Sequence, residues 1–498
     1  MTFSVMIHWH WAQTADTGIL GTAGYVFVGG YLGVLVLLGW LGHRAKQDNS
    51  LADFYLGGRG LGLMVLLLTL YATQYSGNTM LGFVGKSYRQ GYQFLSAVTF
   101  MMAIVGFYLI YAPRLHRLAH ERHYVTMGDY LQDRFHYRPL TILASTLGVL
   151  ALGNYILTNL KALGLLTETI TGISGSYAPG VVLLAIIMLI YELLGGLRSV
   201  AWTDVLQGVL LLFGITIIFI VANVVFGGLV TAAEVIRETK PELMAVPTWK
   251  EKIDWLCTIL LVGLGISMYP HAIQRIYAAK SARTLKRSLQ IMVFFPLATT
   301  FLMLMLGLLG IAQFPGLSDA ESDGVTLRWL AAIVEEVPAM RWIVLICIAA
   351  ILAATMSTVD SALLAISSVV AKDIYPAISP GTSLERLNLI GKVASFVIIA
   401  GAVVLAIGLR TSNIWDLIKL KLEFLCQIAP AFLLGLHCRR LRARPVFAGM
   451  IVGTVIAIGF RDTSWAVFQW LPPGILGLGA NLTIALLGSL LPNNKDVG

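Results

Sequence analysis

Long apolar stretches follow one another down the chain with short polar gaps between them, and ~20 apolar residues in a helix cross the ~30 Å hydrocarbon core of a bilayer. The runs fall at 20–41, 61–85, 92–112, 139–165, 178–197, 204–228, 253–273, 288–312, 341–371, 387–409, 413–436, 444–460 and 473–492. They are solid rather than alternating, so they predict helices and not the short strands of a membrane barrel. The pattern predicts an all-α polytopic membrane protein with about thirteen transmembrane helices.

Composition agrees. Of 498 residues, 57% are hydrophobic and 12% are charged, against ~25% charged in soluble proteins. The mean hydropathy is +0.79. A soluble enzyme, a nucleic-acid reader and a disulfide-stapled secreted domain are excluded. Cys257, Cys347, Cys426 and Cys438 lie in or beside apolar runs without C-x-x-C spacing, and read as small buried hydrophobes. The first ~18 residues carry no Lys or Arg before the apolar run, unlike a secretory signal, so this tail is expected to be retained.

The net charge of +9 is explained by topology. Roughly two thirds of the Lys and Arg fall in loops on one side, among them Arg44, Arg59, Arg114, Arg134, Arg198, Arg275, Lys372 and Arg439. The opposite loops hold most of the acids, including Glu234, Glu238, Asp319, Glu321 and Asp323. This predicts an N-out, C-in protein of the cell (inner) membrane, multi-pass, contacting membrane lipid and no nucleic acid. Gly82-Phe-Val-Gly85-Lys86 lacks P-loop spacing, which argues against an ATP-driven pump. Only Asn493–Gly498 follow the last run, so no appended kinase is expected. Energy has to come from a gradient.

Two runs look broken. Leu70–Gly82 places Thr73, Gln74, Ser76, Gly77, Asn78 and Thr79 at membrane depth, where unwound backbone is tolerated only in protein or against a cavity. Gly263–His271 contains Gly263, Gly265 and Pro270; it reads either as a kink with small-residue packing or as a second break. Paired breaks five helices apart point to a transporter's central site. In the ninth run, Ala354, Ser357, Thr358 and Ser361 share one helix face. Their oxygens suit a small hard cation such as Na⁺, with Asp360 beside them as counter-charge; the alternative is hydroxyls bonded back to the helix backbone. At Gly195–Gln207, Thr203 or Asp204 reads as a helix cap with Gln207 closing the box.

The stretches GGLRSVAWTDVLQ (195–207), AATMSTVDSALLAISS (353–368), Tyr269-Pro-His271 and Phe54–Arg59 resemble the solute:sodium symporter family, which includes bacterial proline and pantothenate carriers and sodium/glucose cotransporters. The resemblance runs from about the first helix to the eleventh. It implies a LeuT-like inverted five-plus-five repeat (61–228 and 253–436), with one extra N-terminal and two extra C-terminal helices. It implies a co-transported Na⁺ held by the carbonyls of Ala72, Tyr75 and Ala354 and the hydroxyls of Ser357 and Thr358. A second, optional sodium site would involve Asp204, Asp360 and Ser361, which leaves Asp204 between cap and ion ligand. Asp360 departs from relatives that have two hydroxyls there. The solute would meet Gln74, Ser76, Gly77, Asn78, Ile266, Ser267 and Tyr269. Proline carriers have Asp where this chain has Gln74, and Trp and Tyr where it has Val262 and Ile266.

The resemblance implies Na⁺-driven symport of a small organic solute by alternating access, not enzyme chemistry. A monocarboxylate or pantothenate is the first expectation and a proline-like amino acid the second. Lys161 is expected either to meet a substrate carboxylate or to snorkel or pair with Glu192, and Lys419 and Lys421 to snorkel to the outer interface. A solute sensor and a passive channel are the rival readings. The sequence leaves the oligomeric state open.

Overall fold

The computed structural model describes residues 21–45, 50–410, 412, 414–460 and 470–490. The N-terminal tail and Asn493–Gly498 lie outside the described residues. The architecture is all-helical. Its main helices are α1 (Gly21–Arg44), α2 (Leu63–Gln74), α3 (Val84–Gln90), α4 (Ser96–Arg122), α5 (Arg138–Thr171) and α6 (Tyr177–Val225). Then come α7 (Trp249–Ser267), α8 (Pro270–Ala278), α9 (Phe295–Gln313), α10 (Val325–Glu336) and α11 (Arg341–Val369). The last are α12 (Leu384–Gly408), α13 (Ile414–Leu425), α14 (Ala443–Gly459) and α15 (Pro473–Leu490).

Among the described residues, eight helices are long and apolar enough to cross a membrane, or nine if the bent pair α7 and α8 counts as one. Three shorter apolar helices, Leu63–Gln74, Tyr177–Ile190 and Ala443–Gly459, match other expected runs. The run at 413–436 carries Asp416, Lys419, Lys421 and Glu423, a charge load that makes its helix the least lipid-like of the set.

The centre of the molecule is α11. Residues Cys347–Val369 are all buried, as expected of a helix that is apolar or small-polar on every face. It packs against α5, α6 and α12. The chain brings the long helix α6 to it through a sharp turn rather than a loop. Gly196 has φ 58° and ψ −162° inside α6, a conformation that L side chains avoid. A Cβ there would also lie 2.5 Å from the Phe54 carbonyl oxygen. The expected runs 178–197 and 204–228 therefore meet at one glycine. Thr203 is not a cap: its hydroxyl bonds back to the Val200 carbonyl, 2.9 Å, within continuous helix.

The loops assigned to one side by their basic residues do touch one another. Arg198 pairs with Asp53 at 2.7 Å, and Lys372 with Asp129 at 2.6 Å. Arg134 donates to the carbonyls of Gly435 and Cys438, each 2.8 Å. On this side the strand-like backbone of Leu61 pairs with Ala279: Leu61 N–H donates to Ala278 O at 3.1 Å and Lys280 N–H to Leu61 O at 3.0 Å. Arg59 clamps the same region, donating to the carbonyls of Ala119 and Tyr124 at 2.8 Å each. On the other side a pocket of about 180 Å³ opens between Lys86, Phe94, Trp255, Val262, Trp415 and Leu422.

Candidate functional site

Both expected breaks are present. Helix α2 stops at Gln74, Tyr75 turns extended at φ −102° and ψ 109°, and the chain re-enters a wide π-turn at Asn78–Phe83 before α3. Helices α7 and α8 meet at 57°. Pro270 explains that bend, because it lacks an amide donor and pushes Tyr269 to extended backbone; Tyr269 has φ −60° and ψ 128°. Two carbonyls there accept from tyrosines of α4. Tyr111 Oη donates to Ser267 O at 2.5 Å and Tyr108 Oη to Ile266 O at 3.4 Å. Sequence reasoning missed these two residues, because their partners are backbone carbonyls that no residue pattern marks.

The first break abuts α11. The one Ser357 Oγ proton lies between two acceptors, Ala72 O at 3.3 Å and Ala354 O at 3.2 Å, and Thr358 Oγ1 donates to Ala354 O at 3.0 Å. Four of the five oxygens expected to hold Na⁺ are thus gathered at one place. Tyr75, the source of the fifth, sits at the turn itself. The approach is tight: a Cβ on Gly77 would lie 2.5 Å from Thr355 Oγ1 and 3.1 Å from Ala162 Cβ. Tyr155 of α5 bridges in, its hydroxyl donating to Thr73 O at 3.2 Å.

The expected solute residues divide. Gln74, Ser76, Asn78 and Tyr269 are buried around the two breaks. Asn78 Nδ2 donates to Thr158 Oγ1 at 3.0 Å, but Asn78 Oδ1 and Gln74 Nε2 have no hydrogen-bond partner. Tyr269 stacks on Tyr155 with centroids 5.1 Å apart and planes 9° apart. Ser267 turns back instead, its hydroxyl donating to Leu264 O at 2.8 Å, and the Ile266 carbonyl accepts from Tyr108 Oη and from the Tyr269 N–H. Lys161 does not face the breaks. Its ammonium donates to the carbonyls of Leu409, at 2.7 Å, and Ser412, because the carbonyls at a helix C-terminus attract a cation. It neither snorkels nor pairs with Glu192.

The residues expected at a second ion site are bridged by a side chain. Arg275, counted above as a loop charge, is fully buried on α8. Its Nη2 donates to Asp204 Oδ2 at 3.2 Å and to Ser361 Oγ at 2.5 Å. Thr69 also donates to Asp204, and accepts from Arg275 Nε at 3.3 Å. Asp360 lies in the same field of Arg275. A guanidinium thus stands where the sequence placed a second cation. The position was legible only as a charge count, since spacing does not reveal which way a short helix after a break turns its arginine.

Lys421 also departs from expectation. It is 1% exposed, not snorkelling, and its ammonium makes no hydrogen bond. It stands 3.8 Å above the Tyr155 ring. A cation–π contact returns about 2 kcal/mol when desolvated, less than the several kcal/mol that burying an ammonium costs. Lys419, by contrast, lies at the pocket opposite the basic loops, 4.0 Å from Asp254.

Comparison with known proteins supplies the class. The sequence model of the sodium:solute symporter family matches residues 54–453. The chain is 27% identical over 472 residues to an osmoregulated proline transporter of Bacillus subtilis (strain 168), covering 93% of this chain and 94% of that one. It is 26% identical over 475 residues to the sodium/proline symporter of Escherichia coli (strain K12), covering 92% of each. Its fold matches that of a Na⁺-coupled sialic acid symporter in a substrate-bound outward-open state, with TM-score 0.78 at 22% identity, over 95% of this chain and 99% of that one. A nucleobase–cation symporter in a closed conformation matches at TM-score 0.54 and 16% identity, over 89% and 94%.

Proposed function

The chain belongs to the sodium:solute symporter family, and from that premise we propose how this Na⁺-coupled membrane transporter binds its ion and its solute. Na⁺ binds between the first break and α11, on the carbonyls of Ala72, Tyr75 and Ala354 and the hydroxyls of Ser357 and Thr358. The supporting observation is the Ser357–Ala72 contact at 3.3 Å. It puts a neutral hydroxyl where a cation would draw the broken helix against α11. Solute then binds at the breaks, against Gln74, Ser76, Asn78 and Tyr269. Na⁺ and solute favour the same closed state, so each raises the affinity for the other equally.

The solute is an amino acid of the proline type. Support comes from relatives named as proline transporters that align over almost their full length. A small monocarboxylate is the second reading, favoured by Gln74, a neutral side chain at the first break. Arg275 acts as a tethered cation at Asp204 and Ser361, so one Na⁺ moves per cycle. Thirteen spans, N-out and C-in, form inverted repeats over 61–228 and 253–436 in the cell membrane. The basic loops are cytoplasmic, so the Leu61–Ala279 pairing is an inner gate and the opposite pocket an outer vestibule.

Uptake into proteoliposomes tests this. L-Proline accumulates with an inward Na⁺ gradient and not with K⁺ in its place. Accumulation of pyruvate alone would favour the second reading, and solute flux independent of Na⁺ would overturn the symport mechanism.

A further inference from the structure

We propose that Lys421 receives the carboxylate of the transported solute. This deepens the symport reading above and rests on it. Lys421 belongs to α13, and its ammonium is buried without a hydrogen-bond acceptor. Its neighbours are ring faces: Tyr155 at 3.8 Å and Tyr269 at 5.8 Å. Those two rings stack on each other, and His271 stacks on both, with centroids 5.8 Å from Tyr155 and 4.9 Å from Tyr269. Neither ring nitrogen of His271 makes a hydrogen bond. The Tyr155 hydroxyl ties this aromatic ledge to the last turn before the first break, through Thr73 O at 3.2 Å. Tyr269 is the last residue before the second helix resumes. The ammonium therefore stands over a ledge that joins the two breaks.

Among the described residues, the other buried cations are neutralised or capped: Arg275 has Asp204, and Lys161 has two carbonyls. Lys421 has π-faces, which attract a cation but leave all three of its N–H donors unused. A carboxylate is the group that completes it, by a charge-assisted hydrogen bond in a low-dielectric site. The flat ledge below suits the ring or the short apolar body of a small acid. The route is short as well. Ile418, Lys419 and Leu422, which flank Lys421 on α13, line the outer pocket together with Val262. Both solute readings share a carboxylate, so the inference does not depend on the choice between them.

The test is a thermal-shift series on the purified full chain in detergent, with Na⁺ supplied as chloride in every arm. The probes are L-proline against proline methyl ester, and pyruvate against methyl pyruvate. Wild type, Lys421→Met and Lys421→Arg are compared, and the shift caused by Na⁺ alone reports that each variant is folded and keeps its ion site. The proposal expects one acid to stabilise wild type and its ester not to. It expects Lys421→Met to need at least about 100-fold more acid for the same shift, and Lys421→Arg to recover part of it. An acid response unchanged in Lys421→Met overturns the assignment. A wild type that answers Na⁺ but no acid also overturns it, and leaves symport standing. A wild type that does not answer Na⁺ counts against the symport reading itself.

Discussion

Ser357 Oγ reaches the carbonyl oxygen of Ala72 at 3.3 Å, and this one hydrogen bond joins two helices whose residues lie 285 apart in the chain. A hydroxyl donor and two carbonyls, with Thr358 alongside, hold the broken helix to the central one. If a cation enters, the hydroxyl proton turns away and its oxygen becomes a ligand.

The tight seat of Gly77 makes the first prediction. Its added Cβ would lie 2.5 Å from Thr355 Oγ1, and overpacking of this kind costs about 1–3 kcal/mol. Gly77→Ala should cut Na⁺-driven uptake at least about tenfold, since the break can no longer seat on α11. Thr355→Ala, which removes the nearest obstructing atom, Oγ1, and Cγ2 with it, should restore most of it in the double variant. The two variants compared in one uptake assay separate a steric effect from general unfolding.

Arg275 and Asp204 form a fully buried pair at 3.2 Å. Removing one partner leaves a buried charge alone, at a cost of about 3–5 kcal/mol. Arg275→Ala should therefore lower the unfolding temperature sharply, and Arg275→Met with Asp204→Asn should lower it less. Na⁺ activation of wild-type uptake should have a Hill coefficient of 1. A coefficient near 2, or an electrogenic ratio of two charges per proline, would contradict the tethered-cation reading.

At the basic face, Arg59 makes two charge-assisted bonds to Ala119 and Tyr124 at 2.8 Å. Each such bond is worth about 1.5–3 kcal/mol. Arg59→Ala should shift the population by more than about tenfold toward the state open on that face. An Ala279→Cys reporter, at a position fully buried in this structure, should then be labelled faster by a membrane-impermeant thiol reagent added from that side. An unchanged labelling rate would mean that the Leu61–Ala279 pairing alone holds the gate.

Much of this was legible in the sequence. The first break showed as polar residues and Gly at membrane depth, and the second as Pro270 after two glycines, because each residue type has a local backbone consequence. The oxygen face of α11 showed as a 3, 4, 7 spacing. Other features were not legible because they depend on direction in space. The runs on either side of Gly196 were separated by apparent cap residues, yet the turn is made by one positive φ. Lys421 and Lys161 both read as long side chains within reach of an interface; packing sends one to a ring stack and the other to the end of α12. Tyr108 and Tyr111 were hidden because their partners are carbonyls, which every residue has.

The most direct test of the account is Na⁺ activation of solute uptake in proteoliposomes holding Ser357→Ala with Thr358→Ala, beside wild type at equal reconstituted protein. Both hydroxyls are buried; Ser357 reaches the first break and Thr358 lies beside it on the same helix, bonded to Ala354 O. Loss of two ligands should raise the half-activating Na⁺ concentration at least about 100-fold, roughly 2.7 kcal/mol, while the protein remains monodisperse and inserted. Wild-type Na⁺ activation in the double variant would show that the coupling ion binds elsewhere.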